Sequence, residues 1–251
     1  MRMRFVLIHG GYHGAWCWDR LTPELEKLGH HVLAIDLPGC NERVEETASL
    51  KSWRGALRDV IEDGDVLVGH SMGGFAISLG ADEVPDKVGR LIYLSAAVPI
   101  EGEAMNAATS DNVASDWPSV VGMPYDEFIE MVELPHQGPC VRITKQEAAN
   151  KLFYHDCSPE DQDWAWERLT PLPLAPAQER FELPRFWSSA IPRDFIVTTD
   201  DFSHPMEMDN HFMQRLGLST AFSIRSSHSP FLSRPADTAK VLDRCAHGTL
   251  A

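Results

Sequence analysis

Six short apolar runs, rich in Val, Ile and Leu, recur along the chain between Gly, Asp and Pro residues. They are residues 4–9 (RFVLIH), 31–36 (HVLAID), 65–69 (DVLVG), 90–96 (RLIYLSA), 194–199 (DFIVTT) and 220–225 (TAFSIR). The runs are continuous rather than alternating. That pattern suits strands covered on both faces, as in a parallel sheet.

Helical spacing appears between the runs. Leu21, Leu25 and Leu28 fall on one face of residues 21–28, with Gly29 as a stop. Residues 50–61 align Leu50, Trp53, Leu57, Val60 and Ile61 at spacings of three and four. A helix is expected over 71–80, and another from Pro235 carrying Ala239, Val241, Leu242 and Cys245. Strand and helix alternate, so the chain reads as α/β with a mostly parallel, doubly wound sheet.

One segment, 99–193, breaks the rhythm. It is rich in Pro and Trp, with a helix-like piece at 125–134 and a helix start at Ser158-Pro159-Glu160-Asp161. No strand alternation stands out in it. A structureless loop of this length is unexpected in a compact domain, so the segment reads as an inserted helical cap. The expected organisation is a core of 1–98 and 194–251 with a cap of 99–193.

The third run leads straight into VGHSMGG, which contains the pattern G-x-S-x-G around Ser71. Chance alone supplies such a pattern about one time in ten in a chain of this size. Here a buried-strand run precedes the serine and a helix pattern follows it, the setting of a nucleophile elbow. The turn is so sharp that its neighbours must be small, a demand met by Gly69, Gly73 and Gly74. A serine hydroxyl needs a base. His228 follows the last run and precedes the last helix, so the carboxyl ends of the strands bring it toward Ser71. The acid is sought after the fifth run, where Asp200 and Asp201 stand side by side; Asp200, first past the run, is favoured. Oxyanion donors are expected from the Met72 N–H and from the loop His9-Gly10-Gly11-Tyr12.

Composition narrows the partners. Lys+Arg number 22 against 37 Asp+Glu, a net charge of −15, which repels phosphate backbones and anionic membranes. Five scattered cysteines form no C-x-x-C, so a reducing, cytoplasmic setting is expected rather than a disulfide framework. The short first run is not read as a signal peptide, and no stretch approaches membrane-spanning length. The remaining histidines, including His30, His31, His204 and His211, show no metal-ligand spacing and are read as surface residues. Trp164 and Trp166, two apart on a helix, cannot share a face, so at most one could line the pocket, and core packing is expected of it instead.

Larger motifs carry a resemblance. FVLIHGGYHGAWCW, the stretch from Gly29 to Gly39, VLVGHSMGG, LTPLPLAP and HSPFLSRP together resemble the α/β-hydrolase branch of hydroxynitrile lyases and methyl salicylate esterases with its bacterial relatives. The resemblance spans nearly the whole chain. It implies the α/β-hydrolase fold, Ser71 as nucleophile, His228 as base and Asp200 as orienting acid, the last supported by Pro205 five residues on. Lyases of this branch place lysine directly after the last histidine, threonine after the strand-end histidine and glutamate before the nucleophile. This chain has Ser229, Gly10 and His70 there, which implies an esterase.

The expected activity is therefore a cofactor-free serine carboxylesterase acting on a small to medium hydrophobic ester. Gly11 and Met72 hold the oxyanion, and Gly10, Tyr12, His70, Trp117 and Phe153 contact the substrate. The partner is a small-molecule ester, with no nucleic acid, membrane or metal; a homodimer is left open. The rival activities are a cyanohydrin lyase, an amide or carbamate hydrolase, and a ligand receptor on the same scaffold.

Overall fold

All six apolar runs form strands. The computed structural model describes residues 2–109 and 117–248. In chain order the strands are β1 (Arg4–Ile8), β2 (His31–Ile35), β3 (Asp65–His70) and β4 (Val88–Leu94), then β5 (Ile129–Leu134), β6 (Gly138–Ile143) and β7 (Leu172–Pro173), and last β8 (Arg193–Thr198) and β9 (Phe222–Ile224). Six of them build one sheet in the order β2-β1-β3-β4-β8-β9, every adjacent pair parallel.

The continuity of the runs has a direct cause. Successive residues of β1 enter different cores. Phe5 and Leu7 pack with Val66, Val68 and Leu242 on one face, while Val6 and Ile8 pack with Leu67, Trp53 and Phe75 on the other. Helices supply both covers: α1 (Thr22–Lys27) and, at the end of the chain, the helix over Pro235–Ala246 on the first face; α2 (Leu50–Val60) and α3 (Gly73–Glu83) on the second. A strand with two apolar neighbours has no polar side to show. Ser49 starts α2 by accepting from the Ser52 N–H while the Ser52 hydroxyl accepts from the Ser49 N–H.

The expected helix over 71–80 begins two residues later, because Ser71 and Met72 form the turn into it. Strand order reverses at β1, which has β2 on one side and β3 on the other. Loops leaving the carboxyl ends of β1 and β3 diverge there and open a crevice.

The insertion between β4 and β8 is mixed, which corrects the expectation of a helical cap. It holds α4 (Met105–Thr109), α5 (Trp117–Val121), α6 (Tyr125–Phe128), α7 (Gln146–Ala149) and α8 (Pro159–Trp166), and also the antiparallel sheet β5-β6-β7. The helix expected over 125–134 survives only as α6. From Ile129 the chain is extended and turns back through His136 and Gly138, both at φ 69°. The pairs Ile129↔Ile143 and Met131↔Val141 then bury Ile129, Val141 and Ile143 against the core. The hairpin tip is tied to the core by Gln137, whose Oε1 accepts from the Ala48 N–H and whose Nε2 donates to the Val44 carbonyl. The helix start at Ser158 is present, its hydroxyl accepting from the Asp161 N–H. The chain ends in α9 (Met206–Arg215), α10 (Pro230–Ser233) and α11 (Pro235–Ala246). Among the described residues no helix is long and apolar enough to cross a membrane.

Candidate active site

Ser71 stands at the carboxyl end of β3 with φ 53°, a left-handed backbone that a non-glycine residue adopts only when its surroundings compel it. Its N–H donates to the Leu94 carbonyl, and its own carbonyl accepts from the Gly74 and Ala97 N–H groups. The glycines around it are sterically required. A Cβ at Gly69 would lie 2.5 Å from the Gly73 carbonyl oxygen, one at Gly73 2.5 Å from the Ile8 carbonyl oxygen, and one at Gly74 would collide with the Ala97 carbonyl. The turn therefore lifts Ser71 to the N-terminus of α3, where N–H groups and the helix dipole favour negative charge.

His228 is buried beside it, in the loop between β9 and α10. Its Nδ1–H donates to Asp201 Oδ2 at 2.6 Å. This bond leaves Nε2 as the basic nitrogen. Ser71 and His228 line one cavity of about 400 Å³.

The carboxylate that bonds His228 is Asp201, not the expected Asp200. Asp200 lies two residues past the end of β8, in the turn that follows it, and points outward. Its carboxylate is partly exposed and bonds the exposed Arg225 at 3.0 Å. Asp201 turns inward and is saturated. Oδ1 accepts from the N–H groups of Ser203 and His204, both at 2.8 Å. Oδ2 accepts from the Thr198 hydroxyl at 2.7 Å as well as from His228. Burial alone would raise its pKa, but the attraction and hydrogen bond of His228, helped by His204 and Thr198, outweigh burial and hold the carboxyl below 3.8. The Ser95 hydroxyl extends the network, 2.6 Å from Thr198 Oγ1. Counting to Pro205 favours Asp200; the signal it misses is the side chain closing on the N–H groups two and three residues ahead, a turn that Asp supports.

The first-strand loop is held by histidines to which the sequence reading assigns no role. His9 accepts from the Leu37 N–H at Nε2, so its Nδ1 carries the proton donated to the Gly10 carbonyl at 2.8 Å. In a trans peptide the next N–H points the opposite way. Fixing the Gly10 carbonyl thus fixes the Gly11 N–H, and Gly11 lines the cavity. His13 repeats the device, with Nδ1–H donating to the Gly11 carbonyl at 2.7 Å and Nε2 accepting from the Tyr154 hydroxyl at 2.6 Å. Burial lowers the pKa of His13 to about 3 and that of His9 as well, so both stay neutral. Met72 also lines the cavity, and among the described residues neither its N–H nor that of Gly11 has an acceptor.

The expected substrate contacts divide. Tyr12, Trp117 and Phe153 line the cavity, with Leu172, Met208 and Phe212 among their apolar companions. Gly10 and His70 do not. His70 is fully buried beside His228, its Nε2–H donating to the His228 carbonyl at 2.8 Å and its ring 4.4 Å from the His228 ring. It braces His228 rather than lining the cavity. Burial, then the neighbouring His228 and His13, keep it well below 6.5 and neutral. Gly10 acts by its lack of a side chain, since a Cβ there would sit 2.9 Å from both His70 Nδ1 and Ser71 Cβ. Trp164 and Trp166 lie outside the cavity wall; Trp164 packs on Trp16 and beneath Arg168. The surface reading of the histidines fails for His204, which is buried in the cavity wall, and for His30, which is buried and bonds Asp243.

Comparison with known proteins gives one result throughout. A sequence model described as alpha/beta hydrolase family matches residues 5–241. Norfluorocurarine synthase 1 of Strychnos nux-vomica is 28% identical over 256 residues, covering 96% of this chain and 94% of its own. Polyneuridine aldehyde esterase of Rauvolfia serpentina is 30% identical over 260 residues, covering 95% and 93%. The crystal structure of polyneuridine aldehyde esterase matches with a TM-score of 0.80 at 25% identity, covering 98% of this chain and all of that one. The common architecture is a parallel central sheet carrying a small antiparallel insertion.

Proposed function

The chain belongs to the α/β-hydrolase family, in its branch of plant esterases and methylesterases, and from that premise we propose that it is a serine carboxylesterase. The observation that carries the proposal is the Asp201–His228 bond beside a left-handed Ser71 on one apolar cavity. Ser71 Oγ attacks the ester carbonyl while His228 Nε2 takes its proton. Asp201 holds the imidazole tautomer and stabilises the imidazolium. The N–H groups of Gly11 and Met72 receive the oxyanion. His228 returns the proton to the departing alcohol, then activates the water that cleaves the acyl-enzyme. The cavity wall of Tyr12, Trp117, Phe153 and Leu172 supports a small to medium hydrophobic ester, with no cofactor in the cycle.

The position after His228 is Ser229, fully buried and uncharged, and it offers no cation for a departing cyanide. That favours ester hydrolysis over cyanohydrin cleavage. Hydrolysis of p-nitrophenyl acetate tests the proposal. Ser71→Ala is expected to lose roughly a thousandfold or more in kcat while melting at the same temperature. Retained turnover would remove Ser71 from the mechanism, and cyanide release from a cyanohydrin would favour the lyase.

A further inference from the structure

Three consecutive residues of the insertion reach the three loops that build the site. After α7 the chain makes one π-helical turn, Asn150–Tyr154, a form that recurs at functional sites. The Phe153 carbonyl accepts from the Ser227 hydroxyl at 2.9 Å, one residue before His228. The Tyr154 hydroxyl bonds His13 Nε2 at 2.6 Å, two residues after Gly11. His155 Nε2–H donates to the Asp200 carbonyl at 2.7 Å, one residue before Asp201. Phe153 and Tyr154 are buried.

The middle contact bears most directly on the chemistry. Glycine has the freest backbone, so a donor N–H on Gly11 needs its neighbours held. His9 fixes the peptide before Gly11, and His13 fixes the peptide after it through the Gly11 carbonyl at 2.7 Å. Tyr12 shares that second peptide and stands at φ 65°, a backbone that a bulky residue keeps only under constraint. Its carbonyl accepts from the Thr170 N–H, again from the insertion. His13 is itself constrained twice. Its ring stacks on Trp16, with centres 5.3 Å apart. Stacking is indifferent to a half-turn of the ring about its Cβ–Cγ bond, but hydrogen bonding is not. Such a turn would put carbon where Nδ1 and Nε2 now stand. The Tyr154 O–H, donating to Nε2, selects the one orientation and tautomer that aims Nδ1–H at the Gly11 carbonyl. Burial keeps the ring neutral, so Nε2 keeps its lone pair.

We propose that Tyr154 is a positioning residue of the oxyanion hole: acting through His13, its hydroxyl holds the peptide that follows the Gly11 donor. The proposal rests on the esterase reading and deepens it. Tyr154 does not line the cavity and touches no substrate. Its effect falls on the transition state, because the ester oxygen gains its charge, and its need for the N–H, only as Ser71 attacks. The insertion is then a fixed part of the machinery, fastened at the donor, base and acid loops alike. The same turn carries Phe153 into the cavity wall, with its ring centre 5.8 Å from that of His228.

Paired ligands separate this role from a loss of fold. An activated serine adds to benzyl trifluoromethyl ketone: the Oγ–C bond forms, the proton passes to His228, and the carbonyl oxygen becomes an oxyanion in the hole. Methyl phenylacetate bound to Ser71→Ala protein reports the ground state instead. Tyr154→Phe removes one oxygen atom and keeps the ring. It is expected to weaken the ketone, and to lower kcat for methyl phenylacetate, by the same factor of roughly ten to a hundred. Methyl phenylacetate binding in the Ser71→Ala background should change by less than about twofold. A partly unfolded sample lowers the calorimetric stoichiometry and not the ratio of the two affinities. His13→Asn, the second variant, has no ring to orient and should show the same split on its own. Adding Tyr154→Phe to it should cost less than about twofold more, because the hydroxyl acts only through that ring. An equal loss for both ligands, no loss for either, or full additivity of the two variants overturns the proposal and leaves Tyr154 structural. A ketone that binds wild-type protein no tighter than Ser71→Ala protein, with no turnover of methyl phenylacetate, would strike the esterase reading and the proposal together.

Discussion

Asp200 and Asp201 show how much one peptide unit decides. Both follow the apolar run that becomes β8, and sequence spacing places both near His228. What separates them is rotation. The Asp201 side chain closes on the Ser203 and His204 N–H groups and reaches Thr198 and His228, while Asp200 meets Arg225 in solvent. Asp201→Asn is expected to lower kcat for ester hydrolysis by roughly a thousandfold or more, because an amide cannot hold the Nδ1–H tautomer of His228. Asp200→Asn should stay within about twofold, since an exposed ion pair contributes little. Matched steady-state kinetics on the two variants check this, and a larger loss at Asp200 would reverse the assignment. The placement of Ser71 and His228 on one cavity was legible from the sequence because strand order and steric demand act through the backbone. Which carboxylate meets His228 was not, because side-chain rotation at a loop is set by partners far along the chain. For the same reason His70, read as a substrate contact, proves to brace His228, and His204, read as a surface residue, proves to line the cavity.

At the scale of elements, the parallel strands were readable because burial on both faces writes itself as an unbroken apolar run. The β5-β6 hairpin was not. Ile129-Glu130-Met131-Val132-Glu133-Leu134 has apolar residues both three and two apart, so its spacing suits helix and strand alike. Its left-handed turn and its pairing with β6 decided the outcome. The elbow glycines make a sharper prediction. Gly74→Ala would drive a methyl into the Ala97 carbonyl, a backbone atom that cannot step aside, and should destabilise the fold by about 2–4 kcal/mol. Gly55, in the middle of α2, has only the Arg58 guanidinium near its missing Cβ, at 3.9 Å. Gly55→Ala should stabilise by about 0.5–1 kcal/mol through helix propensity. Urea denaturation of the two variants distinguishes a glycine needed for close approach from one that is merely tolerated.

For the whole molecule the buried histidines set the response to acid. Burial lowers His9, His13, His70 and His204 below 6.5, His13 to about 3 and His204 to about 4. Between pH 6.5 and about 4 the unfolded chain binds protons at these positions that the folded chain refuses. Stability therefore falls as pH falls, by at most about 1.4 kcal/mol per pH unit for each histidine. Asp209, Asp65 and Asp19 act oppositely, keeping their protons in the folded state above the pH at which the unfolded chain has lost them. The four fully buried histidines, joined at the acid end by the lowered Asp201, outweigh these three, of which Asp65 is held back by Arg4 and Asp19 is largely exposed. In roughly 0.15 M salt, where surface charges are screened beyond about 8 Å, Tm at pH 4.5 should lie at least about 5 °C below Tm at pH 7. An equal or higher Tm at pH 4.5 would mean that these rings accept charge within the fold.

The claim that joins these scales is that Ser71 is a nucleophile activated by His228 and Asp201. Its most direct test is covalent. A fluorophosphonate probe phosphonylates an activated serine and stays, so peptide mapping of the adduct can be set against residual esterase activity in the same sample. The expected result is a single adduct on the peptide carrying Ser71, activity lost in proportion to labelling, and no adduct in Ser71→Ala or, on the same timescale, in Asp201→Asn. A fully labelled protein that still hydrolyses esters, or an adduct that forms elsewhere, would contradict the account.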